Sequence, residues 1–388
     1  MGSEKTLKKQ FWAFLPIVFL ILFSATQFFL ILRHKSPYLS DSYFYLHKYY
    51  QLQGSTFDQA YEKVKSQVPL ESSDKIIKNI FTNKNSYKHS YTFFSKRPLY
   101  PLTAFILNLF VRNQFFSFLI PIFLAYIGLI LVAFLLFRLK LSPFLAVFAT
   151  ALFVSFYPFL DYSTYFLTDT LGSFFWFMLL ALVFKFLSSK NKKWPVLYSV
   201  VFLISLTNRE TAILFIPLLG FMYMFGLKFK FLKDKGKILY LLVATCSLTL
   251  LYFLFSYLLG LPTLLDTVSY THNSYGLYNK IYPFSDTIKY MGSSVINSHK
   301  AMIIDLTQHH WWFVFSLLSL FGVIKTFFFT KEKNLIELLI FFSLFSSYLF
   351  TFVFPDFSYR YYYPVVIGIC YFSTKFLRDF FAIIEGKT

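Results

Sequence analysis

Long apolar runs recur along the whole of this 388-residue chain, and they constrain its fold more than any other feature. The first run, Phe11–Leu32, has close to the ~20 residues that a helix needs to cross a hydrocarbon core. With 57% of all residues hydrophobic, apolar surface of this extent cannot be buried inside a soluble globule. The sequence therefore predicts an all-α integral membrane protein.

The lengths of the runs predict about ten transmembrane helices in a single polytopic domain, residues 1–388. The expected spans are Phe11–Leu32, Phe115–Phe137, Pro143–Leu160, Thr168–Leu187, Pro195–Thr207, Thr211–Leu227, Ile238–Leu259, Trp311–Phe329, Leu335–Phe354 and Tyr361–Phe380. The two spans that flank residues 208–210 are short, and one broken helix is the alternative there. The first run is too long for a signal-peptide core, which favours a retained anchor over cleavage near Ser24–Thr26.

Short basic clusters between the runs determine the expected orientation. Leu99–Val111 is short for a crossing, so we expect a juxtamembrane or re-entrant helix on the outer face. The positive-inside rule then places both termini in the cytoplasm and leaves two long extracytoplasmic loops, residues 33–97 and 260–310. The clusters on the cytoplasmic side are Arg138/Lys140, Lys190/Lys192/Lys193, Lys228/Lys230/Lys233/Lys235/Lys237, Lys331/Lys333 and Lys375/Arg378.

The composition argues against several other classes of protein. The formal net charge of +19 is spread over these short clusters and not over one face of a folded domain, which indicates membrane lipids and no nucleic acid as partners. Cys246 and Cys370 lie inside apolar runs, so neither a disulfide framework nor a thiolate metal site is expected. His309 and His310 are adjacent and would point to different faces of a helix, so no metal site is predicted there.

Four charged positions border or interrupt the apolar runs: Asp41, Asp169, residues 208–210 and Arg360. Each has a simple explanation by itself, as a solvated loop carboxylate, the start of a helix, a local ion pair or an interfacial anchor. The expected topology puts all four on the outer side, however, and a charge within a span costs about 2.5–3.5 kcal/mol at the bilayer centre. Because all four positions are expected on the same side of the membrane, a common site is the alternative to four separate local roles.

Four segments accompany these positions in the sequence: Lys96–Leu102, Tyr162–Asp169, Asn208–Glu210 and Phe357–Tyr361. In this order they resemble the GT-C superfamily of multispan glycosyltransferases, especially the bacterial members similar to aminoarabinose transferases and protein mannosyltransferases. The resemblance implies transfer of a sugar from a polyprenyl-phosphate donor at the extracytoplasmic face. Many relatives carry an acidic pair in the first loop and a large C-terminal soluble domain, whereas Ser42 follows Asp41 and no such domain is evident.

The resemblance also implies roles for individual residues. Asp41 would be the catalytic acid–base group, and Asp169 would be a second catalytic acid. The substrate-binding candidates are Arg97, Tyr100, Asp161, Arg209, Glu210, Arg360 and Tyr361. Arginine suits phosphate because its guanidinium binds in a bidentate way and stays charged. Glu210 is expected to pair with its neighbour Arg209, and for Asp161 acceptor binding, cation binding and simple solvation stay open.

The function expected from the sequence is therefore an inverting membrane glycosyltransferase with an Asp base. Its partners would be a polyprenyl-phosphate sugar, membrane lipids, and a lipid, glycan or protein acceptor outside the cytoplasm. No cofactor is assigned, and the need for a divalent cation is left open. A transporter or flippase for lipid-linked saccharides and a non-catalytic membrane assembly protein are the alternatives; the former predicts charges near the bilayer midplane and internal repeats.

Overall fold

The computed structural model describes residues 2–70, 75–189, 191, 193–229, 235–263, 266, 269–270, 272–273, 282–308, 310–330, 334–349, 359–361 and 363–385. Throughout these residues the chain is all-helical, without a strand. The helices in chain order are α1 (Gly2–His34), α2 (Ser40–Leu52), α3 (Phe57–Lys65), α4 (Lys75–Thr82), α5 (Lys84–Ser95), α6 (Leu99–Val111), α7 (Gln114–Arg138), α8 (Pro143–Ser155), α9 (Tyr157–Ser163), α10 (Asp169–Ser188), α11 (Lys193–Asn208), α12 (Phe215–Phe229), α13 (Lys235–Leu258), α14 (Phe284–Gln308), α15 (His310–Ile324), α16 (Leu335–Tyr348) and α17 (Tyr363–Ile384). Short 3-10 turns lie at Glu210–Leu214 and Tyr359–Tyr361, and a π-helical turn lies at Lys325–Phe329.

Five helices in the described part of the chain are long and apolar enough to cross a membrane. They are Leu15–His34, Gln114–Arg138, Asp169–Ser188, Lys235–Leu258 and Trp311–Phe329. A sixth crossing results if α8 and α9, which meet at an angle of 65°, form one bent span. The all-helical membrane fold is thus confirmed, whereas the predicted number of about ten spans is not.

Breaks in the backbone shorten some of the predicted spans. Phe156 adopts an extended conformation (φ −70°, ψ 97°) between α8 and α9, so the predicted span Pro143–Leu160 is bent. Arg209 is also extended (φ −162°, ψ 133°) and separates α11 from the turn at Glu210–Leu214, as expected for a broken run. α6 has only 13 residues, which agrees with the expectation that Leu99–Val111 does not cross.

The predicted first outer loop folds into a helical layer, α2 to α5, with an aromatic core. The rings of Phe44 and Phe94 stack with a centroid distance of 4.5 Å, and fully buried Tyr87 places its hydroxyl 3.0 Å from Nδ1 of His47. Burial is the main reason why the pKa of His47 is lowered to about 4, so this ring is neutral at pH 7. We call α2 to α5 the first-loop layer.

Contacts of this layer show which ends of the helices lie together. The Tyr50 hydroxyl donates to the side chain of Gln114 at the start of α7, at 3.0 Å, and the Tyr45 hydroxyl lies 3.1 Å from Oγ1 of Thr168, just before α10. The far end of α10 contacts the start of α13, where Nζ of Lys237 donates to the carbonyl oxygen of Ser189 at 2.9 Å. The layer therefore covers the end of the bundle at which α7 and α10 begin, and Lys237, a member of one of the basic clusters, lies at the other end.

Close packing of α15 against α17 leads to a stability prediction. A Cβ atom on Gly322 would overlap with the backbone carbonyl of Phe372, which cannot rotate away. Gly322→Ala should therefore push the helices apart and lower the free energy of unfolding by about 1–3 kcal/mol. Thermal unfolding in detergent measures this effect. Gly220→Ala is the control, because within the described chain a Cβ atom at Gly220 would meet no neighbouring atom within 4 Å. Equal stability of the two variants would contradict the prediction.

Candidate active site

Four residues that are far apart in the sequence lie together under the first-loop layer. Nη1 of Arg360 donates to Oδ2 of Asp41 at 3.0 Å, and Nε of Arg360 lies 4.0 Å from Oδ1 of Asp169. Arg209 forms a hydrogen-bonded ion pair with the same oxygen of Asp169. The Arg360 guanidinium therefore links the two predicted catalytic carboxylates, and we call these four residues the charge cluster.

Both carboxylates lie at helix starts. Asp41 is in the first turn of α2 and Asp169 is the first residue of α10, where the helix dipole stabilises a negative charge. Their accessibility differs, because Asp169 is buried with 4% exposure whereas the Asp41 side chain is 22% exposed. Asp41 is therefore the carboxylate that an incoming molecule can reach, while Asp169 is placed to anchor the two arginines.

The break after α11 brings Arg209 to this cluster. Asn208 ends the helix, is fully buried and donates through Nδ2 to the carbonyl oxygen of Thr168 at 3.1 Å. Gly172, one turn into α10, leaves the room for this approach, since a Cβ atom there would lie 3.3 Å from Nδ2 of Asn208. The broken run thus joins α10 at the level of Asp169.

The expected ion pair between Arg209 and Glu210 is corrected by the structure. Glu210 pairs with Nζ of Lys96 at 2.7 Å, and Arg209 pairs with Asp169. The extended backbone at Arg209 explains the difference, because successive side chains of an extended segment point in opposite directions. Residues that are adjacent in sequence therefore serve two separate ion pairs.

Arg97 and Tyr100 follow the first-loop layer and occupy different environments. Nη1 of Arg97 donates weakly to the Tyr45 hydroxyl at 3.4 Å, Nε has no hydrogen-bond partner, and no carboxylate of the described residues lies within 4.0 Å. Tyr100 is fully buried and its hydroxyl donates to the carbonyl oxygen of Phe118 at 3.0 Å. Arg97 thus lies next to the cluster, where it contacts Tyr45 of α2. Tyr100 joins α6 to α7 and takes no part in the cluster.

Another predicted residue, Asp161, is not brought into the cluster. Oδ1 of Asp161 pairs with Nζ of Lys35 at 2.6 Å, and the Lys35 ammonium also lies 3.4 Å from the ring centre of Tyr165. This pair fixes the end of α1 to α9 and satisfies the carboxylate. Tyr361 belongs to the 3-10 turn that carries Arg360, but its side chain lies outside the described residues.

Sequence reasoning gave no role to Lys96, Tyr45 or Asn208, although residues 208–210 were placed at the expected common site. Lys96 is 4% exposed, and burial lowers its pKa while the Glu210 carboxylate acts in the opposite direction. Its position beside Arg97 was the signal available in the sequence. Tyr45 carries no charge and lies in an aromatic run, so no sequence signal distinguished it, whereas the signal for Asn208 was its position beside Arg209 and Glu210.

A small cavity opens beside the charge cluster and is lined by polar and apolar groups. Its volume is about 30 Å³, and its walls include Asp169, Ser173, Trp176, Arg209 and Arg360. Space of this size holds about two water molecules. The cavity therefore leaves room for water-sized molecules beside the buried ion pairs, along the first turns of α10.

The described residues contain no group of three His, Cys, Asp or Glu side chains arranged to hold a metal ion. His309 and the side chain of His310 lie outside the described residues, so their expected lack of a metal role stays a prediction. The charge cluster itself is made of carboxylates that are each paired with a guanidinium.

Comparison with known proteins adds one positive finding. Residues 96–255 match the model of a family described as dolichyl-phosphate-mannose-protein mannosyltransferase. No curated protein and no solved structure matches the chain. The matched residues include Arg97, Asp169 and Arg209, whereas Asp41 and Arg360 lie outside them. The resemblance to the GT-C superfamily is thereby confirmed, and over residues 96–255 this membrane protein carries the sequence pattern of a dolichyl-phosphate-mannose-protein mannosyltransferase-like glycosyltransferase.

Proposed function

We propose that this protein transfers a sugar from a polyprenyl-phosphate donor to an acceptor hydroxyl, with inversion at the anomeric carbon. The donor tail would lie against the apolar spans. The acceptor, a lipid, glycan or protein, would approach from the extracytoplasmic side. This orientation follows from the positive-inside rule, which also places both termini in the cytoplasm.

The observation that carries the proposal is Arg97, a cation within electrostatic reach of Asp41 that pairs with no carboxylate of the described residues. The other three cations nearby, Lys96, Arg209 and Arg360, each pair with a carboxylate of the described residues, namely Glu210, Asp169 and Asp41. A surplus cation in a largely buried site is costly unless an anion joins it. A donor phosphate would restore the balance, and Arg97, which lacks a carboxylate partner among the described residues, is the group best placed to receive it.

The chemistry of transfer fits the placement of these groups. Asp41 would accept the proton of the acceptor hydroxyl as its oxygen forms a bond to the anomeric carbon, while the bond to the phosphate oxygen breaks. Negative charge then grows on the departing polyprenyl phosphate, where the arginines would neutralise it. In the absence of the sugar donor, Arg360 pairs with Asp41. If Arg360 moved to the phosphate when the sugar donor binds, Asp41 would become free to act as the base.

The transporter alternative receives less support from the arrangement. A carrier of lipid-linked saccharides is expected to hold charged groups near the bilayer midplane. In the described residues, however, the charge cluster lies where α2 and α10 begin. The cluster also contains an accessible carboxylate paired with an arginine, which transport by itself does not require.

A donor panel tests the proposal directly. Purified protein in lipid nanodiscs is incubated with radiolabelled polyprenyl-phosphate sugars and with extracted envelope acceptors. We expect label to move to the acceptor from at least one lipid-linked sugar, with the anomeric configuration inverted. The same sugars as nucleotide diphosphates serve as the control and should give no product. Transfer from the nucleotide sugars only, or movement of intact donor between leaflets without transfer, would rule out the proposal.

A further inference from the structure

The Lys96–Glu210 ion pair lies beside the charge cluster and takes no part in it. Lys96 is 4% exposed and the Glu210 side chain is 20% exposed, with 2.7 Å between Nζ and Oε1. Lys96 caps the end of α5, and Glu210 begins the 3-10 turn after the break. The pair therefore joins the first-loop layer to the broken apolar run.

The covalent neighbours of these two residues are the arginines of the site. Lys96 precedes Arg97, and Glu210 follows Arg209, which pairs with Asp169. Nζ of Lys96 also lies 3.5 Å from the carbonyl oxygen of Pro262, at the start of the predicted second outer loop. Three segments of the chain thus meet at one ammonium group.

Glu210 is the carboxylate for which Arg97 would compete. Its charge acts on Arg97 through space, although the two groups are not within ion-pair distance. A guanidinium forms bidentate pairs with a carboxylate as readily as with a phosphate. If Glu210 lacked another partner, a small movement of either side chain would neutralise Arg97 internally.

We infer that Lys96 is a positioning residue that occupies Glu210 and thereby keeps Arg97 available for the donor phosphate. This inference rests on the proposed function. In this role Lys96 contacts no reacting atom and acts through its ion pair with Glu210. The structure thus separates the cation that would bind phosphate from the cation that holds the competing carboxylate.

Lys96→Met tests this role because methionine keeps much of the side-chain volume and removes the charge. Glu210 then turns to Arg97, and donor phosphate has to displace it. We expect the KM for the lipid-linked donor to rise about tenfold or more, with kcat changed by less than about threefold. Lys84→Met is the matched control, since Lys84 forms an exposed pair with Asp58 in the same layer, and its donor KM should stay at the wild-type value.

Removing the competitor should restore donor binding. In Lys96→Met combined with Glu210→Gln, the competing Glu210 carboxylate is gone, so the donor KM should return to within about threefold of the wild-type value. Lys96→Arg keeps the charge and should also resemble the wild type. A purely structural role of Lys96 would instead predict a raised donor KM in the double variant, because the double variant loses the same ion pair as the single one.

The double variant is informative even if the single variant does not fold, since it leaves neither member of the ion pair buried without its partner. A donor KM raised tenfold in the double variant, or an unchanged KM in Lys96→Met, would overturn the inference. Binding of sugar-free polyprenyl phosphate to each purified variant gives a second measurement that needs no turnover. If the wild type itself transfers no sugar, the proposed function is wrong. If the wild type transfers sugar but the variants give either of these contradicting KM values, only the inference about Lys96 is wrong.

Discussion

Asp41→Asn is expected to lower the rate of sugar transfer by about 10²- to 10⁴-fold while the amount of folded protein stays unchanged. The proposed base accepts a proton from the acceptor hydroxyl, and an amide cannot do so at neutral pH. The substitution retains the shape of the side chain and leaves its oxygen to accept the hydrogen bond from Arg360. The donor KM should therefore change much less than kcat.

The measurement uses nanodisc-reconstituted variants with a donor identified in the panel. Asp58→Asn is the matched control, because Asp58 lies in the first turn of α3 in the same layer and its side chain is 67% exposed. Transfer by this control should equal that of the wild type. Full activity of Asp41→Asn would remove Asp41 from the mechanism and leave Asp169 as the carboxylate to examine.

Sequence alone predicted much of the site because topology restricts where charges can lie. Asp41, Asp169, Arg209 and Arg360 are separated by up to several hundred residues, yet each borders an apolar run at the same expected face. The structure joins them through direct ion pairs. Apolar length and the positive-inside rule therefore carried information about proximity, although neither assigns a catalytic role.

Other features depend on geometry that periodicity does not reveal. The partner of Glu210 is decided by the extended backbone at Arg209, and Asp161 is captured by Lys35 from the end of α1. Tyr100 was a substrate-binding candidate, but in the structure its hydroxyl donates to the carbonyl oxygen of Phe118 in the helix packing. The predicted number of spans is not confirmed for a similar reason, since a run of apolar residues does not reveal a bend such as the one at Phe156.

Lys375→Met should have the largest effect on stability, with a loss of about 3–5 kcal/mol in the free energy of unfolding. Lys375 and Glu337 are 7% and 6% exposed, and Nζ donates to Oε1 at 2.5 Å. Nζ also donates to Oγ1 of Thr326 at 3.0 Å, and the Tyr371 hydroxyl donates to Glu337 at 3.4 Å. Without Lys375, the Glu337 carboxylate stays buried among α16, α17 and the π-helical turn, and no other cation of the described residues forms an ion pair with it.

The measurement is thermal unfolding in detergent of Lys375→Met, Glu337→Leu and the double variant. It distinguishes the contribution of the ion pair to stability from that of the surrounding packing. The double variant should recover most of the lost stability, because replacing a whole buried ion pair with apolar side chains is often neutral. Lys84→Met, at an exposed pair, should cost less than about 1 kcal/mol. Tyr363 is the residue at which α17 begins, just after the turn that carries Arg360. At the 1.5 Å rise per residue of a regular helix, Lys375 lies about 18 Å along α17 from Tyr363. Transfer per folded molecule should therefore equal that of the wild type. A double variant as unstable as Lys375→Met would show that the side-chain volumes and the Thr326 hydrogen bond, and not the paired charges, hold this end of the bundle together.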